Sequence, residues 1–466
     1  MKQFYISAAH KSSGKTVVSI GIARALRRRG LRVATFKKGP DYIDPKWLHH
    51  ASDRECWNLD FFTMGHEEIK TCFDLHRRNT DVTIIEGNKG LYDGLDVEGS
   101  DCNAALVSKL NVPVVLVIDV VGITRGIAPL LKGYVSFDPE VKIVGVILNR
   151  VASPRQEGKL RAAIERYTSL PVIGVISRDP VLSIDERHLG LVPENEASEA
   201  TVKIDQISDV IEKSVDLDQL LELTSAEIGP DLNPVLKSNS DDLTVRRLTA
   251  RSLKIGIARD RAFGFYYPDD MAAFESGGAE LVPFDTLSDQ YLPDVDGIFI
   301  GGGFPECFIE DLATNKTMRS EIKMFIESGG PAYAECGGLM YLSCSISWRD
   351  QSGPMVGVIP AHTKVLNRPV GRGYMQLRIR SDHPWTATRE NARSLIPAHE
   401  FHHSLLDPVD ADWPTASPLN GVTDLMARAM ASIFITYWRV MRISVMCKPI
   451  PGLTLSWILF TNIASN

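Results

Sequence analysis

Short apolar runs alternate with amphipathic helical stretches along the first part of the chain, and this alternation restricts the fold more than any other feature. The runs have the length of buried strands, and the stretches between them have helical spacing. Strands that alternate with helices form a mostly parallel sheet covered on both faces. The predicted strands are residues 3–7, 31–36, 84–87, 112–119, 143–149 and 172–176, with a helix at 16–29 after the first strand.

The same pattern restarts in the second half of the chain. Predicted strands lie at 253–258, 280–283, 297–300 and 332–335, with helices at 271–276 and after Cys336. Between the halves, residues 196–224 read as acidic helix and 225–250 as a polar linker without period. We therefore predict an α/β chain with domains at 1–195 and 251–466, joined by a helical segment and linker at 196–250.

Composition excludes several classes of protein. An apolar fraction of 44% and a charged fraction of 23% over 466 residues are ordinary for globular domains, and the net charge of −7 disfavours nucleic-acid binding. Seven cysteines without a CxxC pair indicate reduced thiols, not disulfides or a zinc site. The N-terminus resembles no signal peptide, and the apolar runs are too short to span a bilayer. We predict a cytoplasmic protein that binds neither nucleic acid nor membrane.

The segment Ser12-Ser13-Gly14-Lys15-Thr16 lies between the first predicted strand and the first helix. Amide groups at a helix N-terminus and a lysine bind phosphate, and the threonine hydroxyl can ligate Mg²⁺. A full GxxxxGK[ST] motif needs glycine where this chain has Ala9, so the prediction of a nucleotide site depends on the strand–loop–helix context. The alternative is a glycine turn with a solvated lysine.

Carboxylates follow two further predicted strands. Asp41 and Asp44 stand three apart on a loop bounded by glycine and proline, and Glu86 ends a strand. Such acids at the carboxyl edge of a sheet can hold Mg²⁺ or orient a carboxylate substrate, whereas the simpler interpretations are turn-forming and capping acids. Asn149 and Arg150 end a later strand and are candidates for contact with the base or phosphates.

The run Pro331-Ala-Tyr-Ala-Glu-Cys336-Gly-Gly-Leu-Met340 predicts a strand, a sharp turn and a helix. This is the geometry of a nucleophile elbow, in which small neighbours let a substrate carbonyl approach. Cys336 is therefore a candidate nucleophile. The alternative is a small buried apolar residue, since free cysteine is often buried.

Taken in order, the motifs of this chain resemble those of cobyrinate a,c-diamide synthases, over residues 1 to about 405. The resemblance is carried by FKKGPDYIDP (36–45), NLD (58–60), EGNKGLYDG (86–94), ERHLGLV (186–192), AFGFYY (262–267), GGGFPE (301–306), AECGGLMY (334–341) and HEFH (399–402).

The resemblance implies an N-terminal ATP-binding domain like dethiobiotin synthetase and a C-terminal class I glutamine amidotransferase domain. Such ligases of cobalamin biosynthesis phosphorylate the a- and c-acetate side chains of a corrin-type macrocycle, and ammonia from glutamine displaces the phosphate. Carried over by motif, the functional acids of the synthetase site are Asp41, Asp44, Glu86 and Asp93. The resemblance also makes Lys37 a contact of phosphate or substrate. From the residues themselves, Thr16, Asp41 and Glu86 are the candidate Mg²⁺ ligands.

In the amidotransferase half, the resemblance implies that Cys336 attacks the glutamine amide and forms a thioester. Backbone N–H groups of residues 301–303 would contribute to the oxyanion hole. The expected substrates are the tetrapyrrole carboxylate, glutamine and ATP, and a homodimer is a candidate assembly.

The C-terminal tail departs from the family from about residue 420. Family members carry the activating histidine in a motif of the form SYxHxxF near the C-terminus, but here no histidine follows His403. One hypothesis is a frameshift near residues 405–428. We predict weak or absent glutaminase activity with ammonia-dependent amidation retained; His399, His402 and His403 are candidate substitutes for the missing base.

Three other interpretations stay open at this point. The macrocycle is either of the corrin type or a sirohaem or sirohydrochlorin relative, because the predicted loop at 46–50 and the segment at 55–58 differ from those of the commonest corrin enzymes. The phosphate loop alone also permits a nucleotide-switch ATPase. The altered tail permits a pseudo-amidotransferase with a non-catalytic C-terminal domain.

Overall fold

The computed structural model describes residues 2–184, 200–225, 252–378 and 395–409, together with Pro193 and the short segments 186–187, 190–191, 433–434 and 458–459. The chain divides into two compact units, Met1–Val245 and Arg246–Asn466, which are described separately. Most of the predicted linker and of the atypical tail lies outside the described residues. Among the described residues, no helix is long and apolar enough to cross a membrane.

The first unit is built on a parallel sheet with the strand order β3-β2-β4-β1-β5-β6-β7. The central strands are buried along almost their whole length because helices cover both faces of the sheet. The strands are β1 (Lys2–Ala8), β2 (Val33–Lys38), β3 (Cys56–Leu59), β4 (Val82–Glu86), β5 (Val114–Asp119), β6 (Ile143–Val151) and β7 (Val172–Ser177), followed by the short pair β8 (Glu186–Arg187) and β9 (Gly190–Leu191). The predicted parallel α/β architecture is confirmed.

Helices connect these strands and continue after the sheet. They are α1 (Lys15–Arg28), α2 (Ile43–Ser52), α3 (His66–His76), α4 (Asn103–Leu110), α5 (Ile127–Phe137), α6 (Pro154–Tyr167), α7 (Ala200–Ser214) and α8 (Leu217–Leu223). The prediction of a loop at residues 46–50 is wrong, because these residues belong to α2, which buries Trp47 and Leu48. Pro45 in the first turn of α2 hid this helix in the sequence, although proline is tolerated there.

The second unit contains a parallel sheet with the order β12-β10-β13-β15-β23 and smaller mixed or antiparallel sheets. Its strands are β10 (Lys254–Ala258), β11 (Phe263–Phe265), β12 (Glu280–Phe284), β13 (Gly297–Ile300), β14 (Gly302–Gly303), β15 (Ala332–Ala334), β16 (Ser343–Trp348), β17 (Gln351–Pro354), β18 (Ile359–Val365), β19 (Gly371–Arg378), β20 (Leu395–His402), β21 (Ser404–Pro408), β22 (Ile433–Phe434) and β23 (Ile458–Leu459). Its helices are α9 (Pro268–Ser276), α10 (Ile309–Thr314), α11 (Lys316–Glu327) and α12 (Gly337–Leu342).

Strands β16 to β21 had no counterpart in the sequence prediction. Strand β18 alternates buried residues with more exposed ones, as a half-buried strand does, and it lacks the continuous apolar run that marked the parallel strands. The parallel strands carry the two candidate sites, because the carboxyl ends of β1, β2 and β4 meet at one edge of the first sheet and the carboxyl end of β15 leads into Cys336.

Candidate active sites

The phosphate loop follows β1 and enters α1 at Lys15. Gly14 has a φ of 88°, and a Cβ on this residue would overlap the side-chain amide of Asn149, so both the backbone and the space require glycine. Asn149 Nδ2 donates to the Ser13 carbonyl at 2.9 Å, and Arg150 Nη2 donates to the Ser12 carbonyl at 3.1 Å. Because β6 engages these carbonyls, the amides at the start of α1 are left to face an anion.

Asn149 therefore contacts the loop itself in this structure. Its side chain sits against Gly14 and fixes the position of the Ser13 peptide. The role of Asn149 in contacting a nucleotide stays a prediction.

A buried cluster of charge lies beside the phosphate loop, at the ends of β2 and β4. Lys37 Nζ lies 2.8 Å from Glu86 Oε1 and 3.7 Å from Asp41 Oδ2, and it also donates to Asp44. The Thr16 hydroxyl is 2.6 Å from Glu86 Oε1 and 3.2 Å from Asp44 Oδ2. The fold thus brings together five of the residues that the sequence singled out.

The charges in this cluster shift one another's pKa values. Burial alone would lower the pKa of Lys37, but Asp44 and Glu86 outweigh it and hold that pKa well above its usual value. The pKa of Lys15 is lowered to about 8, mainly by burial and secondly by the nearby positive charge of Lys37. Burial raises the pKa of Glu86, and burial together with Asp44 raises that of Asp41 to about 7. Burial opposes ionisation of Asp44 too, but Lys37 outweighs it and lowers the pKa.

The donor set in the cluster suits a hard divalent cation such as Mg²⁺. Hydroxyl and carboxylate oxygens of Thr16, Asp44 and Glu86 converge within hydrogen-bond distance of one another or of Lys37. The fully buried Glu86 Oε2 accepts no hydrogen bond from any described residue. A buried carboxylate oxygen without a donor is costly unless a cation or water completes it, so these residues fit the metal.

Asp41 also shapes the start of α2. Its Oδ1 accepts the backbone N–H of Ile43 at 2.9 Å and that of Asp44 at 3.1 Å, as a helix-capping acid does. Asn58, at the end of β3, donates to the Asp41 carbonyl at 2.8 Å. One oxygen of Asp41 is therefore committed to the backbone, and Oδ2 is the oxygen that faces Lys37.

Asp93 lies in the loop after β4, where it closes a tight turn. Its Oδ2 accepts the backbone N–H of Gly90 at 3.0 Å. Lys15 Nζ donates to the carbonyl of Lys89 in the same loop at 2.5 Å. Asp93 thus shapes the turn against which the lysine of the phosphate loop rests, and its catalytic role stays a prediction.

Asn103 supports this loop and was missed by the sequence prediction. Its Oδ1 accepts from the Tyr5 hydroxyl at 2.6 Å and from the Asn88 N–H at 3.1 Å. Its Nδ2 donates to the carbonyls of Asn88 and Gly90, both at 2.5 Å. The buried side chain therefore uses its full hydrogen-bonding capacity to hold the loop. A lone asparagine at the start of a helix carries no sequence signal beyond that of a capping residue.

In the second unit, Cys336 stands at a sharp turn between β15 and α12. Its φ of 51° and ψ of −118° are strained for a residue with a side chain, as expected of a nucleophile elbow. The residue is 3% exposed. A Cβ on Gly338 would overlap the Ile300 carbonyl oxygen, so glycine is what lets α12 start so close to β13. The predicted strand, turn and helix are present, and nucleophilic attack by Cys336 stays a prediction.

The glycine turn at residues 301–303 lies against this elbow. The Gly301 N–H donates to the Tyr266 hydroxyl at 3.0 Å, and that hydroxyl donates to the Ala258 carbonyl at 2.6 Å. Gly303 N lies 3.0 Å from the point where a Cβ on Gly337 would stand. The Gly301 amide is thus committed to a tyrosine, and the predicted oxyanion role remains for the other two glycines.

The three histidines proposed as substitute bases differ in the partners of their ring nitrogens and in the effect of burial on their rings. His402 is buried, with Nε2 2.8 Å from Glu400 Oε1 and Nδ1 2.9 Å from the Ser404 carbonyl, so each ring nitrogen is directed at an acceptor oxygen and neither is directed at a thiol. One ring nitrogen of His403 contacts a backbone carbonyl at 3.1 Å. Burial lowers the pKa of His399 to about 4, which keeps its ring neutral near pH 7.

Replacing Gly338 with alanine is expected to lower the free energy of unfolding by about 2 kcal/mol, because the new methyl group displaces α12 from β13. Gly133→Ala is the matched control. It lies inside α5 with open space around it, and we expect a gain of about 0.5–1 kcal/mol from helix propensity. Urea unfolding followed by circular dichroism measures both. Equal effects of the two variants would contradict the close approach at Gly338.

Together the two units define a class of protein that joins a phosphate-loop nucleotide-binding unit to a cysteine-elbow unit of the amidotransferase type. Residues 6–192 match the family model of the CobQ/CobB/MinD/ParA nucleotide binding domain. Residues 254–424 match that of the CobB/CobQ-like glutamine amidotransferase domain. The chain belongs to the cobyrinate a,c-diamide synthase family, as the motifs indicated.

Membership rests on curated relatives that align over most of their length. The chain is 45% identical to the cobyrinate a,c-diamide synthase of Magnetococcus marinus, over 86% of this chain and 85% of the relative. It is 42% identical to that of Archaeoglobus fulgidus, over 86% and 84%. Among solved structures, MinD from Aquifex aeolicus matches 49% of this chain and 99% of its own with a TM-score of 0.31 and 15% identity, a likeness too weak to bear on fold or function.

Proposed function

We propose that this protein is an ATP-dependent carbon–nitrogen ligase that amidates the a- and c-acetate carboxylates of cobyrinate. The observation that carries the proposal is the meeting of Lys15, Thr16, Lys37, Asp44 and Glu86 at one edge of the first sheet. The names of its relatives support the substrate, since the chain is 38–45% identical to several cobyrinate a,c-diamide synthases. Mg²⁺, a homodimer and a cytoplasmic location belong to the same proposal.

The chemistry follows from the low reactivity of a carboxylate. A substrate carboxylate oxygen attacks the γ-phosphorus of ATP, the bond to the ADP oxygen breaks, and an acyl phosphate forms. Ammonia then attacks the acyl carbon, the tetrahedral intermediate expels phosphate, and loss of a proton leaves the amide. Phosphoryl transfer needs mainly positioning and neutralisation of charge. Lys15 and Lys37 supply the positive charge. Before substrates arrive, Lys15 donates to the carbonyl oxygen of Lys89 and Lys37 donates to the carboxylate of Glu86.

Thr16, Asp41, Asp44 and Glu86 are the residues that would hold Mg²⁺, which when bound neutralises the phosphate oxygens of ATP. In the amidotransferase unit, the Cys336 thiolate would attack the amide carbon of glutamine. The C–N bond of the tetrahedral intermediate then breaks, the nitrogen takes a proton from solvent and leaves as ammonia, and water hydrolyses the remaining thioester to glutamate and the free thiol. Amides of Gly302 and Gly303 would receive the oxyanion.

Mass spectrometry of the products tests the proposal. The protein is incubated with ATP, Mg²⁺ and ammonium, and separately with glutamine, in the presence of cobyrinate, hydrogenobyrinate or sirohydrochlorin. We expect two successive replacements of a hydroxyl by an amino group on cobyrinate, with ATP hydrolysis that depends on the macrocycle. Amidation of sirohydrochlorin alone would assign the other substrate class, and ATP hydrolysis without any macrocycle would indicate a nucleotide switch.

A further inference from the structure

We infer that the exposed ring of Phe137, backed by the half-buried rings of Tyr92 and Tyr134 beside the phosphate loop, forms the surface on which the flat face of the macrocycle lies. This surface is called the aromatic platform. The centroids of Tyr92 and Phe137 are 4.6 Å apart with the rings inclined at 58°, and those of Tyr92 and Tyr134 are 5.4 Å apart with the rings inclined at 42°, so the rings form one cluster in which the two tyrosines support Phe137. The inference rests on the proposed function, because it takes the macrocycle as the occupant.

Hydrogen bonds attach the aromatic platform to the reaction site. The Tyr134 hydroxyl donates to the carbonyl of Ala9, the first residue after β1, at 2.6 Å. The Tyr92 hydroxyl donates to the Tyr134 carbonyl at 2.8 Å. At the same place, a Cβ on Gly90 would stand 2.7 Å from Ala9 O and 2.5 Å from Asp93 Oδ2. The platform, the phosphate loop and the Asp93 turn therefore meet at Ala9.

Of the three platform rings, that of Phe137 is exposed, whereas those of Tyr92 and Tyr134 are half-buried. Phe137 ends α5 with 73% of its surface exposed, and nearby in sequence to Tyr92 the side chains of Leu95 and Val97 are 59% and 99% exposed. Scattered exposed apolar residues are ordinary, but the exposed Phe137 ring belongs to a cluster that is hydrogen-bonded to the phosphate loop. Burial raises the pKa of Tyr92 to about 12, so its phenol stays neutral as a donor and a ring surface.

The chemistry of the substrate fits this arrangement. A tetrapyrrole acid has a broad, flat, largely apolar ring and carries its carboxylates at the rim. Aromatic side chains receive such a face by stacking, in offset or tilted geometry. The inference requires that, with the macrocycle on Phe137, a rim acetate reaches the turn at Asp93 and the Lys15 side chain that rests on it. The platform thus supplies binding energy at a distance from the carboxylate that reacts.

The test measures the Michaelis constants of variants with ammonium as nitrogen donor, so that the glutaminase half is not involved. For Phe137→Ala we expect the KM for cobyrinate to rise roughly tenfold, with the KM for ATP unchanged. Phe137→Trp should retain the wild-type KM because it keeps an aromatic face. Val202→Ala, which removes an apolar side chain on α7 that is 51% exposed, is the control and should change neither constant.

Unchanged KM for cobyrinate in Phe137→Ala would overturn the inference. So would an unchanged KM accompanied by loss of a dimer in sedimentation, which would assign the platform to a second copy of the chain. If the wild-type protein forms no amide, the proposed function has failed. The platform is then tested by titrating cobyrinate with protein and following its absorption band. Equal binding by wild type and Phe137→Ala, or no binding by either, overturns it.

Discussion

Ammonium is expected to support amidation by this chain at least about 100-fold faster than glutamine does at saturating concentrations. The reason lies in the thiol of Cys336. General-base activation contributes typically about 10²- to 10⁴-fold, and the sequence has no histidine after His403 to supply it. His402, the most deeply placed of the remaining candidates, has both ring nitrogens bonded to Glu400 and Ser404. The ratio of initial rates with the two donors measures the effect.

A chimera provides the control for this prediction. Replacing residues from 420 onward with the corresponding tail of the Magnetococcus marinus relative should restore glutamine-dependent amidation if the tail is the cause. Adding Cys336→Ala to the chimera should remove that gain, because the restored base has no thiol to activate. Equal rates with glutamine and ammonium in the unaltered chain would refute the prediction and direct attention to His399 or His403.

The substitution Glu86→Gln is expected to reduce ammonium-dependent amidation by about 10²- to 10³-fold. The side chain keeps its shape but loses the charge that faces Lys37 Nζ at 2.8 Å and the Thr16 hydroxyl at 2.6 Å. Lys37 then lacks one of its buried counter-charges, and the oxygen that suits a divalent cation is gone. Steady-state rates over a range of Mg²⁺ concentrations measure the loss, and a higher Mg²⁺ requirement should accompany it.

Asp81→Asn is the matched control, since Asp81 precedes the same strand at its opposite end. It pairs with Arg32 on the surface, where an ion pair contributes at most about 1 kcal/mol. We expect its amidation rate to stay within about threefold of wild type, because the pair lies at the edge of the sheet away from the phosphate loop. Equal losses in the two variants would contradict the placement of the reaction at the carboxyl edge of the first sheet.

The sequence predicted those parts of the molecule that local patterns encode. Continuous apolar runs marked the parallel strands, and the glycines around Lys15 and Cys336 marked the two turns. The acids after β2 and β4 could be placed together because neighbouring parallel strands end at one edge. The sequence did not predict helix α2, because Pro45 and the flanking aspartates are residues typical of a loop. The helix is recognised only in the structure, where Trp47 is buried.

Contacts between residues distant in sequence could not be predicted in the same way. Asn103 and Tyr5 are 98 positions apart, and only the folded sheet brings them under the loop after β4. Tyr134 and Ala9 are 125 positions apart, and their hydrogen bond depends on how α5 packs beside the phosphate loop.

The ammonium group of Lys37 acts as a counter-ion that is covalently attached to β2. The carboxylates of Asp41, Asp44 and Glu86 all lie close to Lys37. Without a cation between them, these like charges would repel one another strongly. Because the cation belongs to the chain, this repulsion is offset while the protein folds and not when substrates arrive. A divalent ion that binds at this edge then replaces Lys37 as the positive charge next to the carboxylates. The carboxylates are already in place and need to move little.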